Sequence, residues 1–246
     1  MARRVRKIRI LGVIPARGGS RGIPRKNIAS LLGKPLIYYT IRAAQQSRLL
    51  DAFIVSTDDP EIAAVARRLG ADVPFLRPKK FARYTSTDIE WLRHAVLAVE
   101  KERGWRPEII VTLYPTAPLR TARDIDRVLQ FMLDTGCDSV RTVASPSPHN
   151  PFKMWSFIDE KKGKIKPLLR TKHYSTLGTD VPRQTLPKIY WQTGMVNATR
   201  TKFIKRGVIW GPDVRGVITD PLRTVDLDEP KDLKQAERIM RELKIV

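Results

Sequence analysis

The chain has 246 residues, with 46 lysines and arginines against 25 aspartates and glutamates, a formal net charge of +21. Apolar residues make up 42% of it, enough to build one α/β domain with a substantial core, and their recurrence among the charges argues against disorder. No apolar run approaches the roughly 20 residues of a membrane helix; the run Ile10 to Pro15 is too short for a signal-peptide core, and the single cysteine, Cys137, excludes an internal disulfide and a cysteine-based zinc site.

A cytoplasmic protein is therefore expected. The basic residues are spread along the whole chain, and no zinc finger, basic zipper or RNA-binding aromatic motif is visible. That distribution favours a small polyanionic substrate over nucleic acid.

In chain order, Arg9 to Pro15 reads as a buried strand, running into the loop Ala16-Arg-Gly-Gly-Ser-Arg-Gly-Ile-Pro-Arg-Lys-Asn27. Pro35 opens a helical pattern over Leu36 to Gln46. Ala52 to Ser56 is a second buried strand, followed by a helix from Pro60 that Asp59 caps and Gly70 closes. Ala71 to Leu76 is expected to be a short strand. Thr87 to Glu90 forms a capping box for a helix reaching Arg103. Ile109 to Leu113 is a third buried strand, Thr121 caps a helix ending at Gly136, and Asp138 to Ala144 is a further strand. This alternation predicts a mostly parallel sheet flanked by helices.

The rhythm breaks over 146–191, which is rich in proline and holds a hairpin-like turn at Asp159 to Gly163. Phe152, Met154, Trp155, Phe157, Leu168, Leu169, Tyr190 and Trp191 give that stretch an apolar face, so it is expected to be a dimerisation arm between the two parts of the α/β domain, 1–145 and 192–246. The core pattern resumes at Gly194 to Ala198. Thr224 to Asp228 then leads, as a strand, into an amphipathic helix that Pro230 opens.

Ligands of open parallel sheets bind beyond the carboxyl ends of the strands, and the 16–27 loop is the first such end. Gly18, Gly19 and Gly22 let backbone N–H groups approach a phosphate, and Arg17, Arg21, Arg25 and Lys26 supply charge. The spacing is neither that of a Walker loop nor that of a dinucleotide fingerprint. A solvated turn is the alternative, disfavoured because crowded cations repel one another unless an anion joins them. On a strand, Asp226 and Asp228 would share a face, which suits a divalent cation; a turn and helix cap before Pro230 is an equal alternative. Arg183, in the stretch Asp180 to Gln184, is a candidate carboxylate clamp. His94, His149 and His173 have no metal-ligand spacing.

Together the stretches Ile14 to Asn27, Val55 to Asp58, Leu76 to Pro78, Pro115 to Arg120, Pro182 to Gln184 and Asp226 to Asp228 resemble the acylneuraminate cytidylyltransferase family, in the family's order. The resemblance implies a Rossmann-like fold of the nucleotide-diphospho-sugar transferase type. It also implies transfer of CMP from CTP to an acidic nine-carbon sugar of sialic or legionaminic type, with release of pyrophosphate. By it, Arg17, Gly18, Gly19, Ser20, Arg21, Gly22 and Lys26 hold the triphosphate, and Asn27, Arg77 and Thr116 the nucleotide. Asp226 and Asp228 hold Mg2+, and Arg17, Lys26 and Asp226 carry catalysis. Lys153, Arg183, Gln184, Tyr114 and Thr193 fall at the sugar, the arm reaching a neighbouring subunit in a homodimer. Tyr114, Thr193 and Asp88 depart from the residues common in the sialic acid enzymes, which bears on the sugar and the base. The competing expectations are the same fold with another nucleotide or acid sugar, and a non-catalytic nucleic-acid-binding protein.

Overall fold

Short β-rich apolar runs separated by capped helices build a central sheet in the computed structural model, which describes residues 8–146, 149–169 and 182–244. In chain order the elements are β1 (Ile10–Pro15), β2 (Ser30–Leu31), β3 (Lys34–Pro35), α1 (Ile37–Gln46), β4 (Ala52–Ser56), α2 (Pro60–Arg68), α3 (Asp88–Arg103), β5 (Ile109–Thr112), α4 (Ala122–Thr135) and β6 (Ser139–Ala144). There follow β7 (Trp155–Asp159), β8 (Lys164–Pro167), β9 (Trp191–Arg200), α5 (Thr201–Lys205), β10 (Val214–Ile218) and α6 (Pro230–Glu242).

The sheet has the order β10-β6-β9-β5-β1-β4. β1 runs parallel to β4 and β5, β10 parallel to β6, and β9 antiparallel to β5. The chain passes from β1 to β4 on one side and then to β5 on the other, so the strand order reverses around β1. A crevice opens at such a point beyond the carboxyl ends. The register pairs Pro15 with Ser56 and Val13 with Thr112, which brings the loops after all three strands to one edge.

Alternation along β1 sends its side chains to two cores. Ile10 and Ile14 pack with Ile37, Ile41, Ile62 and Leu129 of α1, α2 and α4, whereas Leu11 and Val13 pack with Trp91, Val96 and Ile204 of α3 and α5. A third cluster joins Ile23 of the first loop, Leu119, Leu227, and Ala236 and Met240 of α6.

The described residues form two units, and Ala144–Gln192 makes up the second. Within it β7 and β8 pair antiparallel. Among the described residues no helix is long and apolar enough to cross a membrane.

Two expected strands are absent. Ala71 to Leu76 makes only isolated bridges, Asp72 with Ile54 and Leu76 with Thr57, because Pro74 between them has no N–H for a ladder. Thr224 to Asp228 has no ladder partners, and its backbone meets the loop after β5 through Leu227 N–H to the Thr116 carbonyl at 3.3 Å. The strand expected at Gly194 to Ala198 is longer, β9 (Trp191–Arg200).

Candidate active site

Helix caps and close backbone approaches fix the first loop. Asp59 caps α2, accepting from Glu61 and Ile62 N–H at 2.9 and 3.0 Å. Its neighbour Asp58 accepts from Gly18 N–H at 3.0 Å, so that donor is committed to the protein. A Cβ on Gly18 would fall 2.6 Å from the Asp59 carboxylate, which explains glycine there. Asn27 is buried and donates its amide to the Arg17 carbonyl at 2.9 Å, tying the two ends of the loop together.

Arg25 is engaged by protein carboxylates, in contrast to the sequence expectation. Its guanidinium pairs with Asp59 at 2.7 Å and Glu61 at 2.5 Å. The crowding of four cations is thus relieved in part by protein carboxylates.

The other cations face a cavity of about 630 Å3 walled by residues of the first unit. Arg17, Ser20, Arg21, Gly22, Lys26 and Asn27 of the loop line it, with Arg77, Tyr114, Thr116 and Asp228. Gly18, Gly19 and Asp226 do not. Lys26 Nζ donates to the Leu227 carbonyl at 2.7 Å and to Asp228 at 3.0 Å, across 202 positions of sequence. Burial of Leu227 beside Ile23 brings the two segments together, while the flanking Asp226 and Asp228 stay exposed.

Asp226 accepts a hydrogen bond from Thr116. Partial enclosure raises its carboxyl above the ordinary aspartate value, and the negative charge of Asp228 adds to the rise. The Lys26 ammonium offsets part of that repulsion, and a further cation between the two carboxylates would relieve the rest. Among the described residues no group of three or more histidine, cysteine or acidic side chains is placed to hold a metal, so two carboxylates alone would leave most positions to water and phosphate oxygens. This hard, incomplete oxygen set fits Mg2+.

At the other wall Arg77 is buried, bonded to Ser56 Oγ at 3.1 Å and lying 5.2 Å from the Trp91 ring. Burial pushes it down to about 10, which leaves it charged at neutral pH. Asp88 accepts from Trp91 Nε1 at 3.0 Å and from the Tyr114 hydroxyl at 2.5 Å. Enclosure, then the charge of Asp88, raises the Tyr114 phenol well above its ordinary value, so it stays a donor. Arg120 does not line the cavity but fixes the loop after β5, donating to the Tyr114 and Met195 carbonyls at 3.0 and 2.7 Å.

Thr193 is buried outside the cavity lining, its hydroxyl engaged with Thr142 at 2.9 Å. Lys153, at the end of the turn Pro151–Lys153, and Gln184 are exposed in the second unit, and Arg183 opens the turn Arg183–Thr185. His173 and Asp180 lie outside the described residues. His94 packs edge-on to Phe75 at 5.0 Å, a core role. Sequence reasoning missed Phe81, Arg83, Tyr84, Ser86 and Glu229, which also line the cavity. The basic run before Thr87 was the available signal for four of them.

A profile of the family described as Cytidylyltransferase matches residues 11–244. The CMP-N,N'-diacetyllegionaminic acid synthase of Legionella pneumophila is 31% identical over 236 residues, 95% of this chain and 97% of that protein. A pseudaminic acid cytidylyltransferase of Campylobacter jejuni is 28% identical over 92% of this chain and 94% of its own. A solved structure described as CMP:2-keto-3-deoxy-manno-octonic acid synthetase complexed with CTP superposes with a TM-score of 0.69, covering 96% of this chain and 99% of the other at 17% identity, a likeness of fold.

Proposed function

The chain belongs to the cytidylyltransferase family of nucleotidyltransferases, and from that premise we propose that it transfers CMP from CTP to a hydroxyl of an acidic nine-carbon sugar of sialic or legionaminic type. The hydroxyl oxygen bonds to the α-phosphorus as the bond to pyrophosphate breaks, and the hydroxyl proton leaves to solvent. The contact of Lys26 with Leu227 and Asp228 carries the reading, since it joins the cationic loop to the segment of the paired aspartates, of which Asp228 lines the cavity.

Phosphoryl-type transfer asks the protein for alignment and charge neutralisation. Arg17, Arg21 and Lys26 take the triphosphate and stabilise the leaving pyrophosphate, with Ser20 and the Gly22 backbone beside them. Arg77, Asn27 and Thr116 order the nucleotide end. Asp226 and Asp228 would hold Mg2+, which when bound supplies further neutralisation of phosphate charge. Tyr114 and Asp88, hydrogen-bonded to each other, shape one wall of the cavity, Tyr114 toward the acceptor and Asp88 toward the nucleotide.

Lys153, Arg183 and Gln184 sit in a unit whose hairpin exposes Trp155 and Phe157, at 48% and 60%. We assign that unit to a homodimer contact in which these residues serve the partner's acceptor. A cytoplasmic location is part of the same proposal.

A panel of nucleoside triphosphates against sialic, legionaminic and other acid sugars, scored by pyrophosphate release, tests the assignment. Release with CTP and one or more nine-carbon acids, lost on chelation of divalent cations, is expected. Release with another triphosphate only, or with none of the panel, contradicts it.

A further inference from the structure

Arg21 differs from its neighbouring cations in how the protein holds it. Arg25 is neutralised by two carboxylates and Lys26 by one, whereas Arg21 has no hydrogen bond or ion pair among the described residues. What it does have is the ring of Tyr84, over which its guanidinium carbon lies at 4.0 Å. Arg17 meets the same segment: its Nη1 donates to the Arg83 carbonyl at 2.9 Å, and its guanidinium lies 5.7 Å from the Tyr84 ring. Tyr84 is 61% exposed yet lines the cavity, so burial does not explain where the ring stands.

The geometry decides what such a contact can do. A guanidinium has donors in its plane and a π-face above and below it. Stacking occupies a face and leaves the in-plane N–H fork open, and that fork is the part that grips a phosphate with two parallel hydrogen bonds. A carboxylate partner would occupy the fork instead, as Asp59 and Glu61 do for Arg25. A ring therefore orders the side chain without consuming its donors or cancelling its charge, which lowers the ordering cost when an anion arrives.

We propose that Tyr84 is a positioning residue for the triphosphate, a stacking rest that pre-orders Arg21, and secondarily Arg17, toward the anion. The inference rests on the reading of this cavity as the CTP site, and it adds a residue that none of the sequence motifs contains.

The test uses the full chain and two readouts: binding of inorganic triphosphate by calorimetry, and KM and kcat for CTP by pyrophosphate release. Tyr84→Phe keeps the ring and is expected to match the wild type in both. Tyr84→Ala and Tyr84→Leu, the latter keeping apolar volume without a π-face, are expected to weaken triphosphate binding and raise KM for CTP by about threefold or more, with kcat little changed. In an Arg21→Ala background, Tyr84→Leu is expected to add much less loss than in the wild type, because only the longer contact with Arg17 remains. Equal losses in both backgrounds, or wild-type binding by Tyr84→Ala, would overturn the proposal. Wild-type protein that binds neither inorganic triphosphate nor CTP would overturn the nucleotide reading itself.

Discussion

Gly22 is where the backbones of the two distant segments come close. A Cβ there would fall 2.1 Å from the Asp228 carbonyl oxygen, a backbone atom that cannot step aside alone. Gly22→Ala should therefore leave the fold intact, as read by circular dichroism. It should lower kcat/KM for CTP on the order of a hundredfold, the cost of moving a positioned group by about an ångström; wild-type turnover would show that the approach does not matter to the reaction. Gly22, Lys26 and Asp228 were legible in the sequence because their residue types already suggest phosphate and cation chemistry. Arg25 and Tyr84 were not. The partners of Arg25 lie 34 and 36 positions away, and nothing local in the sequence links residue 84 to residue 21. Which cations are spent on the protein and which stay free is a tertiary fact.

At the scale of elements, caps carried most of the legible information. Asp59, Thr87 and Thr121 cap α2, α3 and α4 where side-chain chemistry placed them, and Gly104 and Gly136 close α3 and α4 in left-handed geometry. The edge strand β10 was not legible: of Val214–Ile218 only Val217 is buried, so no apolar run marks it. A part-buried pair lies just before the Asp226–Asp228 segment. Arg223, in the turn Pro221–Arg223, bonds Asp124 at the N-terminus of α4 at 2.5 Å, with side chains only 23% and 12% exposed. Burial opposes ionisation of Asp124, but the bonds from Arg223 and Thr121 outweigh it and hold the carboxyl below its ordinary value. A depressed carboxyl stabilises the fold above the unfolded-state value and loses that contribution as pH falls through the folded-state value. Arg223→Ala should thus cost about 3 kcal/mol in urea unfolding at pH 7, with the gap from wild type shrinking as the pH is lowered through the carboxylate range. An equal gap at neutral and acidic pH would contradict this role for the pair.

Over the whole molecule, strand order places the chemistry. Reversal around β1 opens a crevice, the level carboxyl ends of β1, β4 and β5 bring their loops to it, and the apolar cluster of Ile23, Leu119, Leu227 and Met240 carries the C-terminal segment across to meet them. The net charge of +21 suits attraction of a polyanion, and Arg17, Arg21, Lys26 and Arg77 concentrate it at one cavity. On the proposed function, residues 17–27 and 226–229 close on the same triphosphate. Hydrogen–deuterium exchange of the full chain with and without CTP and Mg2+ tests this most directly. Slowed exchange in both segments together, at the same CTP concentration, is the predicted result; protection of one segment alone, or of neither in protein that turns over, would contradict the account.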